Sequence, residues 1–410
     1  MYKLIFISLL FLTLTTFNVS AQDTLNSKIA EQKTYQLYLD KNWKELISFG
    51  KYALTKGFDY YYLRIRIGIA YFEEKNYRDA QRNFRKAYTF NSTDDVLMEY
   101  LYYCYIYLGE YDEARKFSKK FSSPLAKKVR TDSSPAVEYL IAEGGMKTTR
   151  RYDLADAYYG QFGLGHRVGK NSSFFHALTV FNQNGIPQNL NQKQYYLSAN
   201  IPIGKSWMVS SAFHLINRTI SFKLPPHRPI PPWMPQPLPP PPSTANYFAG
   251  SLLVKKSISK FDIRIGSTIS NIDSISQVQG NLSLSYFPFG NNKLFFTGAG
   301  YIQKESISSD YKYAFSPSVS ATPFSKLVLS ASYFNNQAHH ISEMNGYVVN
   351  NSGDLTTSRF TFMGNYLLSS HVNFYLLYQL ENKTQNNPQN KNTTTTYSYH
   401  NFIGGLKFIL

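Results

Sequence analysis

The chain closes on Asn401-Phe402-Ile403-Gly404-Gly405-Leu406-Lys407-Phe408-Ile409-Leu410. Side chains of a strand alternate between its two faces, so Phe402, Leu406, Phe408 and Leu410 share one face, and Asn401 and Lys407 lie on the other. A soluble sandwich rarely ends on such a strand. A barrel embedded in lipid does, because its last strand must pair with its first. Unpaired backbone groups in hydrocarbon cost several kcal/mol each.

The same period of two runs back to about residue 136. Leu327, Leu329, Ala331 and Tyr333 alternate with Val328, Ser330 and Ser332. Leu282 and Leu284 alternate with Asn281, Ser283 and Ser285; Val372, Phe374, Leu376 and Tyr378 alternate with Asn373 and Gln379. Trp207, Val209, Phe213 and Leu215 alternate with Ser210, Ala212 and His214. An apolar-out, polar-in dyad of this kind marks a transmembrane antiparallel β-barrel. About 14 strands are expected over 136–410, from 136–148 to 395–410, each long enough for the ~9–11 residues that a tilted strand needs. Tight turns, such as Val168-Gly169-Lys170 and Ile203-Gly204-Lys205, largely alternate with longer polar connections. An even strand count puts both ends of the barrel on one side, the periplasm if the membrane is the outer one.

Residues 1–21 have the layout of a secretory signal: Lys3, an apolar stretch from Leu4 to Phe17, and Val19-Ser20-Ala21 before the expected cleavage. No Cys follows, so no lipid anchor is expected, and no later stretch reaches the ~18 apolar residues of a membrane helix. The single cysteine, Cys104, reads as a small buried apolar residue. Tyr (34) and Phe (30) make 16% of the chain aromatic with Trp, which suits interfacial girdles. The formal charge is +17. Export and the dispersal of the basic residues argue against nucleic acid and for an anionic envelope surface, with outer-membrane lipid as the expected partner.

Residues 22–130 have helical periodicity and repeat every 34 residues. In the middle copy Gly68, Tyr71, Tyr77, Ala80, Phe84 and Ala87 fit a helix hairpin, with small residues at the close approach and large ones filling the gap. Trp43, Leu46 and Ala53 mark an earlier copy, and Leu101, Tyr105, Gly109, Tyr111 and Ala114 a later one. About three stacked copies bury a continuous core. This stretch resembles the tetratricopeptide repeat family. The resemblance implies a peptide-binding concave face, which by position includes Tyr62, Ile65, Ile69, Phe72, Glu73, Glu99, Tyr103 and Tyr107, and an envelope protein as partner. Residues 131–135 form the linker, ending at Ser133-Ser134-Pro135.

The closing segment resembles the C-terminal assembly signal of Gram-negative outer-membrane barrels through Gly405, Leu406, Phe408 and Leu410, although Ile403 and Leu410 depart from its usual residues. The order of signal, helical repeats and barrel resembles the YaiO-type outer-membrane proteins. The fold expected is therefore a multidomain α + β chain in the outer membrane, with its helical module in the periplasm.

Residues 223–244 hold a proline-rich external loop, with 11 of the 19 prolines between Pro225 and Pro242. Polyproline II makes it stiff, and Arg228 and Trp233 are the candidate docking side chains. No histidine pair has the spacing of a metal site, and no glycine cluster opens a helix as a phosphate loop would, so no metal and no cofactor are expected. His339-His340 with Ser342 and Glu343 is the only cluster with a hydrolase flavour. The leading expectation is a non-enzymatic anchor that presents the helical module to a partner. The alternative is a pore for small or anionic solutes. A lipid hydrolase using His339 or His340 with Ser342 ranks third.

Overall fold

A computed structural model describes residues 25–130, 136–151, 154–169, 172–185, 188–204, 206–222, 239–349, 354–386 and 394–410. The expected signal, the 131–135 linker, Arg228 and Trp233 lie outside these residues. Seven helices come first among them: α1 (Ser27–Leu39), α2 (Trp43–Thr55), α3 (Tyr61–Glu73), α4 (Tyr77–Phe90), α5 (Asp95–Tyr107), α6 (Tyr111–Ser118) and α7 (Ser123–Lys128). The first helices of three successive hairpins begin at Ser27, Tyr61 and Asp95, and the second at Trp43, Tyr77 and Tyr111, a constant step of 34 residues. Gly68 lies directly under the Phe84 ring, where an added Cβ would come within 2.5 Å. Phe84, Ala80, Ala114 and Cys104 are buried in one core. Burial pushes the Cys104 thiol well above its usual range and leaves it unreactive. Asn side chains at positions 26, 42 and 76 cap α1, α2 and α4 by accepting from backbone N–H groups that no helix turn satisfies.

Fourteen strands then form a closed antiparallel barrel: β1 (Val137–Thr149), β2 (Leu154–Val168), β3 (Ser172–Gly185), β4 (Gln188–Gly204), β5 (Trp207–Phe222), β6 (Ser243–Ile258), β7 (Phe261–Ile272), β8 (Ile275–Tyr286), β9 (Leu294–Glu305), β10 (Tyr311–Phe324), β11 (Leu327–Asn336), β14 (Leu355–Leu367), β15 (Val372–Asn386) and β16 (Thr394–Ile409). The two-residue strands β12 (Ser342–Glu343) and β13 (Val348–Val349) pair only with each other. Closure is β1 on β16, in register from Tyr139–Ile409 to Thr149–Tyr399. The outer wall carries the apolar set: Phe162, Leu178, Leu215, Leu252, Ile265, Leu282, Phe315, Phe362, Leu376 and Phe402 are all exposed. Their inward neighbours Gln279, Ser285, His214 and Asn401 are buried. That inversion of the usual inside-out rule belongs to a wall facing hydrocarbon.

Interior aromatic rings lie flat on glycines of the adjoining strand. Tyr159 covers Gly145 and Tyr375 covers Gly405, and both hydroxyls donate to Glu143. A methyl at Gly405 would overlap the Tyr375 ring. Gly405→Ala is therefore expected to destabilise the barrel by about 1–3 kcal/mol, read as a lower temperature for loss of the fast-migrating folded band on unboiled gels.

The helices sit on the barrel end that carries the short turns and both strand termini. Arg78 of α4 pairs with Asp262 of β7 at 2.8 Å, with both side chains under a tenth exposed. Its guanidinium lies 3.6 Å over the Phe287 ring, and its backbone N–H donates to Gly290 O. Asn291 donates to Lys75 O, Arg85 to Ser206, and Lys116 of α6 to Pro202 O. Arg115 bridges Asp112 and Glu138, and Ser173 donates to Asp112. These polar contacts to the barrel come from α4, α6 and the α3–α4 turn.

Candidate functional site: an occluded lumen

Residues 337–349, between β11 and β14, do not project outward. They fold into the barrel and cross it, with the β12–β13 hairpin at the crossing. The entry is anchored apolarly, with Ala338 and Ile341 packed on Ala314 and Phe334. Polar contacts then run across the lumen. Gln303 donates to His339 O at 2.7 Å. Gln279 makes a reciprocal pair with Ser342, accepting from its N–H at 3.0 Å and donating to its carbonyl at 2.7 Å. An amide side chain thus imitates a neighbouring strand and satisfies both backbone groups of a buried residue. Glu343 takes both of its carboxylate oxygens to Arg359 Nη2, at 2.7 and 2.8 Å.

The hairpin tip reaches the opposite wall. Met344, Asn345 and Gly346 are all left-handed (φ 50°, 59° and 76°), which lets the chain reverse within a narrow lumen. Ser251 donates to Asn345 O at 2.9 Å, Tyr196 to the same carbonyl at 3.3 Å, and His214 Nδ1 to Gly346 O at 2.9 Å. Tyr347 wedges between Tyr196 and Phe175, and its hydroxyl accepts from Gln161. The loop is thereby tied to β2, β4, β5, β6, β8, β9 and β14.

A vestibule of about 480 Å³ opens on the long-loop side, with Val348 and Val349 in its floor. Four cations line it, Lys147, Arg218, Arg359 and Lys383, against two carboxylates, Asp273 and Glu381. Gln192, Gln194 and Gln379 supply neutral donors and acceptors. Glu381 accepts from Lys147 at 2.6 Å and from Thr356 at 2.7 Å, and lies 3.4 Å from Lys383. Arg218 pairs with Asp273, which is 3.4 Å from His340. Around the crossing, Gln277 Nε2, Gln303 Oε1, Ser342 Oγ and Arg359 Nε are buried without a hydrogen-bond partner among the described residues. Such groups are compensated when water or a polar solute occupies the gap.

The sequence-derived sites divide. Ile65 and Ile69 are buried in the helical core, so they are corrected from groove to packing residues. Phe72 packs edge-on to Tyr77 and Tyr100. Tyr103 stacks on Tyr107, and Glu99 pairs with Lys128. Tyr62, Glu73 and Tyr107 remain exposed. His339, His340, Ser342 and Glu343 are the crossing segment itself, where His339 contributes its carbonyl and Ser342 its backbone. Sequence reasoning missed Gln279, Gln303 and Arg359. The available signal was long polar side chains at consecutive inward positions of β8 and β9.

No family model matches the chain, and no curated protein matches it. Solved barrels do. The toluene transporter TodX of P. putida is 9% identical over 67% of this chain and 91% of its own, with a TM-score of 0.43. The toluene transporter TbuX of Ralstonia pickettii is 9% identical over 70% and 94%, at 0.42. A FadL homologue of Pseudomonas aeruginosa is 6% identical over 66% and 89%, at 0.40. At these values the likenesses carry no argument about substrate, and the closed fourteen-strand architecture rests on the barrel's own register.

Proposed function

We propose that this protein is an outer-membrane pathway for small polar or anionic solutes, gated by the hairpin of residues 337–349, with the helical module on the periplasmic side. One observation carries the reading. The lumen is blocked by a short segment held mainly through side-chain hydrogen bonds and one ion pair, which can be exchanged for contacts with water or solute. A barrel built only as an anchor needs no basic vestibule above a polar, partly unsatisfied crossing. The excess of cations over carboxylates in the vestibule favours anions. Planar-bilayer recording tests it. Glu343→Ala removes the loop's ion pair, and each 1.4 kcal/mol lost from the closed state raises open probability about tenfold. Longer openings than in the unaltered protein, with anion preference, are expected; a silent membrane with both proteins contradicts the proposal.

A second reading, the helical module as a platform for an envelope protein, is favoured by a separate observation. The contacts of α4 and α6 with the barrel leave Tyr62 of α3 and Tyr107 of α5 exposed. Tyr62→Ala with Tyr107→Ala should abolish partner capture by the full chain without altering conductance.

A further inference from the structure

We propose that the cleft between the helices and the barrel binds the phosphate headgroup of an anionic phospholipid from the leaflet at the short-turn end. The cleft, of about 640 Å³, lies between α2, the α3–α4 turn and the β6–β7 and β8–β9 turns. Lys44, Lys75, Lys260 and Lys293 converge on it from four separate segments, against Glu74 alone. Among the described residues none of these lysines is in an ion pair. Lys260 spends one donor on Pro288 O at 2.6 Å. Four ammonium groups around one cleft repel one another, and a phosphate among them relieves that repulsion.

A second, independent observation points to a ligand. Tyr71 lines the same cleft and is 5% exposed, and its hydroxyl, sealed from solvent, has no hydrogen-bond partner among the described residues. A buried donor left unsatisfied is costly, and once the ring shifts enough to uncover the hydroxyl, a phosphate oxygen in the cleft would accept from it. The source of the phosphate follows from position. Phe289, on the cleft's rim, is 57% exposed. Trp207, Phe261, Tyr286 and Phe324 are exposed at the same end of the barrel, where an interfacial aromatic girdle sits. The cleft is therefore at headgroup depth, with an exposed apolar side chain on its rim. Basic pockets at this depth are a recognised form of lipid recognition. The inference rests on the membrane location and is independent of whether the lumen conducts.

The experiment uses the detergent-solubilised full chain and measures binding of phosphatidylglycerol and diphosphatidylglycerol by native mass spectrometry, with phosphatidylcholine and inorganic phosphate in parallel. Anionic lipid is expected to bind at least tenfold more tightly than phosphatidylcholine. Lys44→Gln with Lys75→Gln and Lys293→Gln should remove that preference, and Tyr71→Phe should weaken it severalfold. Lys28→Gln with Lys86→Gln and Lys127→Gln, an equal charge change outside the cleft, should leave it intact. An unchanged preference in the cleft variant, an equal loss in the control variant, or inorganic phosphate binding as tightly as the lipids would each overturn the proposal.

Discussion

Replacing Arg78 with alanine is expected to weaken the attachment of the helical module by about 3–5 kcal/mol, because it strands a buried carboxylate. Asp262 is 6% exposed, and Arg78 is its ion-pair partner. The same guanidinium covers the Phe287 ring and donates to Ser259 O at 3.4 Å. Alanine removes all three contacts and opens a gap at the joint. In urea the module should become protease-sensitive well before the barrel loses its folded gel band, whereas in the unaltered protein the two events lie closer together. Changing both partners, Arg78→Met with Asp262→Leu, should recover a large part of the loss, since no bare charge then remains. Unaltered protease resistance in Arg78→Ala would mean that the module is held by other contacts.

Glu381→Gln should be comparably damaging to the loop end of the barrel. Lys383 is 1% exposed, and its neighbours are Glu381 and the Thr356 hydroxyl, which donates to Glu381. Lys147, from the first strand, meets the same carboxylate and lies 4.2 Å over the Tyr399 ring. Neutralising Glu381 leaves two cations facing each other across β1, β15 and β16, with a cost on the order of 3–5 kcal/mol. Glu381→Gln combined with Lys383→Met should be milder than Glu381→Gln alone. Urea unfolding in detergent, followed by tryptophan fluorescence, measures both; equal midpoints for Glu381→Gln and the unaltered protein would refute the network's importance.

The barrel was readable because a lipid-facing strand must alternate. β7 spans Phe261–Ile272, as the alternation alone places it. Misses fall where that constraint lapses. β4 begins at Gln188, four residues before the strand that the alternation places at 192–203, since Gln188-Asn189-Leu190-Asn191 stands clear of any apolar requirement. The alternation places a strand at 326–340, but β11 ends at Asn336, because the chain turns into the lumen there. The inward hairpin was not readable: His339, His340, Ser342 and Glu343 have the polarity of any external loop. Its place is set by Gln279, Gln303 and Arg359, which the sequence scatters over three strands. The helical step of 34 residues was readable from its small and large positions. The joint was not, because Arg78 and Asp262 are distant in sequence and each looks like an ordinary surface charge.

The proposed gate is tested most directly by tethering it. A Cβ at Gly346 would lie 3.9 Å from Ser251 Cβ, close to the ~3.8 Å of a relaxed disulfide. Cys104 is fully buried and does not compete. The left-handed backbone at Gly346 strains the new cysteine by about 1–2 kcal/mol, equally in both redox states, so the comparison is internal. In Ser251→Cys with Gly346→Cys, planar-bilayer openings should vanish on oxidation, with the cross-link confirmed by gel shift, and return on reduction. Conductance that persists in the cross-linked protein, or never develops in the reduced one, would contradict the hairpin as gate.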